Sequence, residues 1–577
     1  MKFDHALNHS AAHILAAALK KLYPDVKLTI GPAIEEGFYY DFSTSTPVSI
    51  NDLPKIEKQM KKIVSGAHEF TKSVVSKQEA LDFYKDNKYK SEIISEIPDE
   101  EEITFYTCGD FTDLCAGPHT ANTKNVKAIK LLNLAGSYWR GDSKNDQLTR
   151  IYGVAFDNEA DLAEYLTLLE DRKQRDHRKI GKDLKLFTFS PLVGQGLPIW
   201  LPAGTKIKYE IQRYINYLQH KYEFEPVMTP VLGTVDLYKT SGHWDHYKEN
   251  MFPVMDVEGE ELVLRPMTCP HHIMVYKSDL RSYRQMPIRL CEHSNLHRYE
   301  ASGGLTGLER VREMVLEDTH IFCRPSQIKE EVARCYKAIV EAHEGLGSKI
   351  WRVDFSTYDP EDTEKFHGDT AMWESSQAQL REALEEQGLE YVVMPGEAAF
   401  YGPKIDFQVK TALGHVVTVS TIQLDFLLPE RFELEYKNEK GEMERPVMVH
   451  LGIIGTYERY LAMLLEQTKG VLPLWLSPTQ IEILPVNVDI HAEYSHELMN
   501  KLNLAGFRVE VDDRDERLAK RLREAQISKV PYQLIIGDNE SKDSNNISFR
   551  RYGSEETVTM SYEEFVDMLN KQISERK

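Results

Sequence analysis

Cysteine is scarce in this chain. Six stand among 577 residues, at positions 108, 115, 269, 291, 323 and 335. That is far too few for a disulfide scaffold, so the expected setting is the reducing cytoplasm, where a special cysteine acts as a thiolate or a metal ligand. Long apolar runs are missing as well. No stretch of about 18 uncharged apolar residues occurs, which excludes a transmembrane helix and predicts no membrane partner. The first 20 residues carry an acid and three histidines and do not read as a secretory leader. An excess of positive charge is also absent. Against 91 acidic residues stand 70 basic ones, a net charge of −21. A uniformly basic nucleic-acid coat is excluded, while local patches are not. There is no internal repeat and no low-complexity tract. What remains is globular: 41% hydrophobic and 28% charged residues, with length enough for about three to five domains.

Periodicity divides the chain. Leu7, Ile14, Leu15, Ala18, Leu19 and Leu22 recur at helical spacing, and Pro24 stops that helix. Residues 25–160 mix short strand-like runs with helices. Residues 159–185 read as one long charged helix. Its end, from Asp171 to Lys185, holds seven Lys/Arg against three Asp, the pattern of a solvated linker or of a hinge near a phosphate backbone. In residues 186–473, strand-like runs (Glu261–Leu264, Ile288–Cys291, Val416–Phe426, Val447–Ile454) alternate with amphipathic helices (Lys208–Lys221, Ile328–Leu346, Trp373–Gln387). Pro473 and Pro478 bracket a linker. After it, strands IEILPVNV, FRVEVDD and PYQLIIGD alternate with helices over 492–505 and 518–527, a small α/β domain.

Two groups of residues carry chemistry. His9 and His13 lie four apart on the first helix and share a face. Cys115 and His119 flank a Gly-Pro turn. By type these four suit a metal site or a pocket whose histidines orient water. The segments HSAAH, GPAIEEGFYYDF, DLCAGPH and GSYWRGD resemble the editing domain shared by threonyl- and alanyl-tRNA synthetases. The resemblance implies that His9, His13, Cys115 and His119 line a pocket that hydrolyses a mischarged aminoacyl ester, with Lys90 and Asp113 assisting. In the alanyl branch such residues hold zinc, and in the threonyl branch the pocket works without it. Imidazole or thiolate titrating near neutrality would move the proton.

The second group lies in the large block. Gly204 to Pro230, a long helix ending in EFEPVMTP, resembles motif 1 of class II aminoacyl-tRNA synthetases, a homodimer interface. IRLCEHSNLHRYEASGGLTGLERVREMVLEDTHIFC resembles motif 2, and PVMVHLGIIGTYERYLAMLLEQ resembles motif 3. Joining a carboxylate to ATP builds charge on the α-phosphate, which a fixed guanidinium stabilises. The resemblance gives that task to Arg298. It sets Glu300 on the adenine amino group, Arg310 against the nucleotide, Arg459 on the γ-phosphate, and Mg²⁺ between phosphates.

RPMTCPHH, EDTHIF and VMVHLGIIGTYER further resemble threonyl-tRNA synthetases. That resemblance implies one Zn²⁺ per chain on Cys269, His320 and His450. The gaps of 51 and 130 residues would not reveal such a site. It also implies Asp318 on the threonine hydroxyl, and Tyr401, Lys404 and Gln423 near substrate. The expected partners are ATP, L-threonine and tRNA. In RDERLAKRLREAQISK, six Lys/Arg face three acids, a charged helix face or a modest phosphate patch. Glu540 and Arg550 match anticodon-reading positions.

The fold so implied is multidomain, α/β and α+β. It comprises an α+β editing domain (1–158), a linker helix (159–185), a class II antiparallel-sheet catalytic core (186–473) and an α/β anticodon-binding domain (474–577). The family often carries a ubiquitin-like domain ahead of the editing block, and this chain begins at the editing helix. Two further departures stand out: Thr268-Cys-Pro-His271-His where NCPGH is common, and Leu316 where Gln is frequent. Rival readings are a seryl or prolyl enzyme, which the metal trio opposes, and an inactive tRNA-binding paralogue, which Leu316 alone favours.

Overall fold

The computed structural model of the chain describes residues 2–576 except 143, 363–364, 367–368, 412–413 and 543–544. It divides into two compact units, Met1–Asp171 and Arg172–Lys577.

The first unit is α+β. Its opening helix, His5–Leu22, starts where the Asp4 carboxylate accepts from the Leu7 amide at 2.8 Å. Twelve of its side chains are buried, against an antiparallel sheet of Gly37–Ser43, Gln147–Phe156 and Ala128–Tyr138. A second, three-stranded sheet (Phe70–Val75, Ile103–Cys108, Phe111–Leu114) brings Asp113 and the following turn beneath that helix.

The stretch expected as one linker helix is two. Glu159–Arg175 ends, the Asp176 side chain accepts from the Arg178 amide at 2.8 Å, and His177–Asp183 begins. A short acid able to cap a new N-terminus interrupts the helical run.

The second unit is built on an eight-stranded sheet. Its order is Glu225–Pro226, Ile288–His297, Glu313–Cys323, Val447–Gly452, Val416–Asp425, Lys404–Lys410, Arg352–Thr357, Val392–Pro395. The inner pairings are antiparallel, and each edge strand joins parallel. Helices Pro202–Lys221, Ile328–Leu346 and Tyr457–Thr468 pack their apolar faces on it in one large core. The C-terminal part has a five-stranded sheet, parallel over Val509–Val511, Ile481–Pro485 and Tyr532–Ile536, then antiparallel over Asn546–Arg551 and Thr557–Ser561. The last two strands and the closing helix Tyr562–Ser574 extend the α/β pattern legible in the sequence. No described helix is long and apolar enough to cross a membrane.

Candidate active sites

Strand register explains how residues far apart in sequence meet. His320 sits opposite His450, His450 opposite Gln423, and Gln423 opposite Lys404. Opposed residues on antiparallel strands hold their Cβ atoms about 4.5–5.5 Å apart. Four strands therefore deliver one row of side chains. Asp318, two positions before His320, faces the same way. Cys269 comes from the first turn of the helix Cys269–Lys277. The row opens into a cavity of about 480 Å³, lined by Cys269, His320, His450, Asp318, Tyr401, Lys404, Gln423, Arg298, Glu300, Arg310 and Arg459. Every residue expected at the synthetic site is thus brought to one cavity. Leu316 lines it too, an apolar side chain where a glutamine would offer an amide.

The metal trio is tight and buried. One ligand atom from each of Cys269, His320 and His450 lies within 4.8 Å of the others. Nε2 of His320 and Nδ1 of His450 are 3.0 Å apart. Burial pushes the Cys269 thiol well up, with Asp318 and Asp425 adding to it, and pushes His320 well down. The outward nitrogens are held. Nε2 of His450 bonds Asp425 Oδ2 at 2.8 Å, and Nδ1 of His320 meets His272 Nδ1 at 2.8 Å. Nε2 of His272 contacts Glu292 at 3.2 Å, and Arg265 bonds the other oxygen of Glu292 at 2.9 Å. One sulfur and two imidazoles, each imidazole oriented from behind, fit Zn²⁺ with room for further ligands.

The cationic side of the cavity is crowded. Burial presses Arg459 below the usual guanidinium range, and Arg298 and Arg310 add to this. Such a set suits a polyanion. Glu300 and Arg310, expected on the adenine end, are paired with each other at 2.8 Å. Arg459 Nε donates to the Glu309 carbonyl at 3.2 Å.

The first unit holds a second cavity, about 470 Å³, lined by His9, His13, Lys90, Asp113 and Cys115. His119, expected in its lining, instead sits behind Cys115, with Nδ1 3.1 Å from Ser10 Oγ and its ring stacked on Phe70. Cys115 Sγ lies 3.2 Å from His9 Nε2 and 3.1 Å from His119 Nε2. His9, Cys115 and His119 therefore also form a set that could hold a metal. Asp113 is fully enclosed. It accepts from Tyr40 at 2.6 Å and Tyr84 at 2.8 Å, and pairs with Lys90 at 2.9 Å. Burial alone would raise its carboxyl, but Lys90, His13 and Tyr40 hold it below the usual range. The expectation of groups titrating near neutrality is not met. Burial pushes Cys115 up to about 11, and lowers His13 to about 4 and His119 to about 3. At neutral pH His9 and His13 offer neutral imidazoles to the pocket and Cys115 a thiol, beside the Asp113 carboxylate that Lys90 pairs with.

In the C-terminal part, Glu540 accepts from the Gly537 amide at 3.0 Å and the Ser548 hydroxyl at 2.7 Å, and Arg550 donates to Thr557 at 3.0 Å. In the basic run at 514–529 only Arg521 is buried, on the Asp512 and Pro485 carbonyls; Arg514, Arg517, Lys520 and Arg523 are exposed, and Arg514 pairs with Asp512 and Glu524. That is the charged-face reading.

Sequence reasoning missed Asp425, His272 and Glu292. Asp425 had a visible signal: its Oδ1 accepts from the Leu427 and Leu428 amides, both at 2.9 Å, an acid capping a short helix. The other two had none.

Comparison with known proteins agrees with this layout. Residues 252–468 match the tRNA synthetase class II core domain of the G, H, P, S and T enzymes. Residues 480–572 match an anticodon binding domain, and 103–152 the second additional domain of threonyl and alanyl tRNA synthetases. The threonine–tRNA ligase of Ureaplasma parvum serovar 3 is 58% identical over 579 residues, covering all of both chains. That of Staphylococcus carnosus is 52% identical over 572 residues, covering 99% of this chain and 88% of its own length. A crystal structure of the RNA binding domain of a Cryptosporidium parvum threonyl-tRNA synthetase is 38% identical with a TM-score of 0.65, over 69% of this chain and 98% of that one. A Giardia lamblia prolyl-tRNA synthetase, 17% identical with a TM-score of 0.55, shares the fold.

Proposed function

The chain belongs to the threonyl-tRNA synthetase family, and from that premise we propose how its residues divide the work. The sheet-borne cavity activates L-threonine with ATP and passes the threonyl group to the 3′ end of tRNA. The N-terminal pocket hydrolyses seryl-tRNA made in error. One observation carries this: a cysteine, two histidines and three arginines converge on the same cavity.

In activation, a threonine carboxylate oxygen attacks the α-phosphorus and pyrophosphate leaves. We assign Arg298 to the α-phosphate, where a guanidinium meets the growing charge. Arg459 takes the γ-phosphate, and Glu300 and Arg310 the nucleoside end, exchanging their mutual pair for ligand contacts. Mg²⁺ accompanies the phosphates. A zinc ion on Cys269, His320 and His450 would supply open coordination positions for the amino and hydroxyl groups of threonine. Asp318, whose carboxyl burial raises, accepts from that hydroxyl, and Tyr401, Lys404 and Gln423 wall the pocket. Valine has no hydroxyl to offer Asp318, so it leaves a buried acceptor unmet and is rejected.

Serine keeps the hydroxyl and lacks one methyl, worth about 1–3 kcal/mol. That is too little for accurate decoding, so a second hydrolytic site is needed. In it, the neutral imidazole of His13, whose Nε2 has no partner among the described residues, accepts a hydrogen bond from water, His9 and His119 hold the Cys115 thiol that borders the ester, and the Lys90–Asp113 pair fixes the floor. Glu540 and Arg550 face the anticodon. A homodimer through motif 1 is supported by exposed Tyr209, Tyr217 and Met228, and a cytoplasmic setting by six free cysteines.

The test is ATP–pyrophosphate exchange across a panel of amino acids, with metal content measured on the same protein. Threonine-dependent exchange with about one zinc per chain is expected. Full exchange from zinc-free protein would remove the metal from the scheme.

A further inference from the structure

We infer that His177 is a positioning residue for the ATP end of the cavity, because its imidazole ties the motif 2 loop to the motif 3 helix. The inference rests on the reading of that cavity as an ATP site. His177 opens the second of the two linker helices and is 2% exposed. Its Nδ1 lies 2.7 Å from Oε1 of Glu466, itself 3% exposed. A carboxylate only accepts, so Nδ1 carries the proton. Nε2 then has its lone pair free and accepts from the Leu308 amide at 3.0 Å. Both ring nitrogens are used, in one tautomer.

The two partners belong to the two elements expected to grip the nucleotide. Glu466 lies two turns beyond Arg459 on the helix Tyr457–Thr468. Leu308 is at the tip of the loop that Thr306 and Arg310 close with two backbone hydrogen bonds, each 3.2 Å. The tip is shaped around the ring. Gly307 has φ +48°, and a Cβ there would fall 2.2 Å from His177 Nε2. The Leu308 side chain is fully buried, in one cluster with Ile180, Leu186 and Phe187. The next carbonyl, of Glu309, receives Arg459 Nε, and Arg310 follows.

His177 therefore sets the spacing between Arg310 on its loop and Arg459 on its helix. These two cations and Arg298 repel one another before an anion arrives. Without the imidazole the loop would keep its own turn, the buried Leu308 side chain and the Arg459–Glu309 bond, but lose the hydrogen-bonded link between its tip and Glu466. The basic linker is thus part of the nucleotide site.

Two substitutions separate the two bonds. His177→Asn keeps a donor near the Nδ1 position for Glu466 but is too short to reach the Leu308 amide. His177→Gln keeps an acceptor toward Leu308. In threonine-dependent pyrophosphate exchange by the full-length enzyme, His177→Asn should raise the KM for ATP about tenfold, the worth of one buried hydrogen bond, and leave the KM for threonine unchanged. His177→Gln keeps only the loop end of the tie and should raise the ATP KM as well, again with the KM for threonine unchanged. Equal ATP KM for both variants and the parent, or equal rises for both substrates in both variants, would overturn the inference. Absence of exchange in the parent would instead sink the ATP-site reading. Hydrogen exchange of the parent's 306–310 segment stands apart from activity and from variant folding. Strong protection of the Leu308 amide is expected, and exchange at the rate of an open loop would overturn the tie.

Discussion

Asp425→Asn is the sharpest probe of the metal reading, because it changes one proton and almost no volume. Asp425 is fully buried. Its Oδ2 takes the Nε2 proton of His450 at 2.8 Å, which leaves the His450 Nδ1 lone pair facing His320 and the cavity. Its Oδ1 is committed to the Leu427 and Leu428 amides. An asparagine has one acceptor oxygen, and those two amides claim it. Its NH₂ then faces Nε2 of His450 and turns it into an acceptor, so the proton moves to Nδ1. That nitrogen can no longer bind a metal.

Restoring the ligating tautomer costs either a donor facing a donor at His450 or two unmet backbone amides. An unmet buried donor costs about 1–3 kcal/mol. Loss of a partner behind a metal-bound histidine typically costs about 10–100-fold in affinity, which is about 1.4–2.7 kcal/mol. The two estimates agree. Zinc affinity measured by competition with a chromophoric chelator should therefore fall about 10–100-fold. Thermal unfolding in excess chelator should change little, since the metal-free tautomer satisfies every bond. An Asp425→Asn protein that binds zinc as tightly as the parent would refute the tautomer argument.

Three further outcomes are expected. Arg298→Ala should cut pyrophosphate exchange by at least about 100-fold, as loss of a transition-state donor does; retained exchange would contradict its assignment. Lys90→Met removes the partner of a carboxylate enclosed with it, and should destabilise the first unit by about 3–5 kcal/mol. Chemical denaturation of that unit and deacylation of seryl-tRNA both report it, while threonylation should survive; unchanged stability would mean Asp113 is held by its tyrosines alone. Glu317 gives a pH signature. It is fully buried, accepts from Gln219, Thr319 and the Ile453 amide, and burial pushes it from 4.5 up to about 7. Because the folded state binds this proton more tightly, stability falls as pH rises from about 4.5 to 7, by about 3 kcal/mol, and is flat beyond. Glu317→Gln should abolish that slope in denaturation of the second unit between pH 5 and 8; an identical slope would assign it elsewhere.

Local pattern carried much of the fold. The helix Ile328–Leu346 matches its apolar periodicity residue for residue, and strands begin where Ile288, Val416 and Val447 imply. Three features were present in the sequence but not read. Asp176 is a capping acid that splits the linker. Ser561 and Glu564 form a capping box that announces the last helix. Asp425 heads the run DFLLP. Each is a short polar side chain taking backbone amides, a signal weaker than periodicity and easily lost beside it.

Other features had no local signal. Nothing in one strand says which residue of another will face it, so the row Lys404, Gln423, His450, His320 follows from register alone. The donors were nevertheless named, because motif resemblance carries register implicitly. Their holders were not. His272, Glu292 and Glu466 carry no local mark that sets them apart in the sequence, and all three are buried. A buried charge survives only with its partner in place, and the partners come from other strands and helices. The same holds for His177, which looked like one more polar residue in a basic run. The ligands of this site are thus legible by family, and the groups that fix their protons are legible only by contact. For that reason the test with most power is the isosteric exchange behind a ligand at Asp425, where volume stays and one hydrogen bond changes, while at His177 each substitution removes one of two bonds.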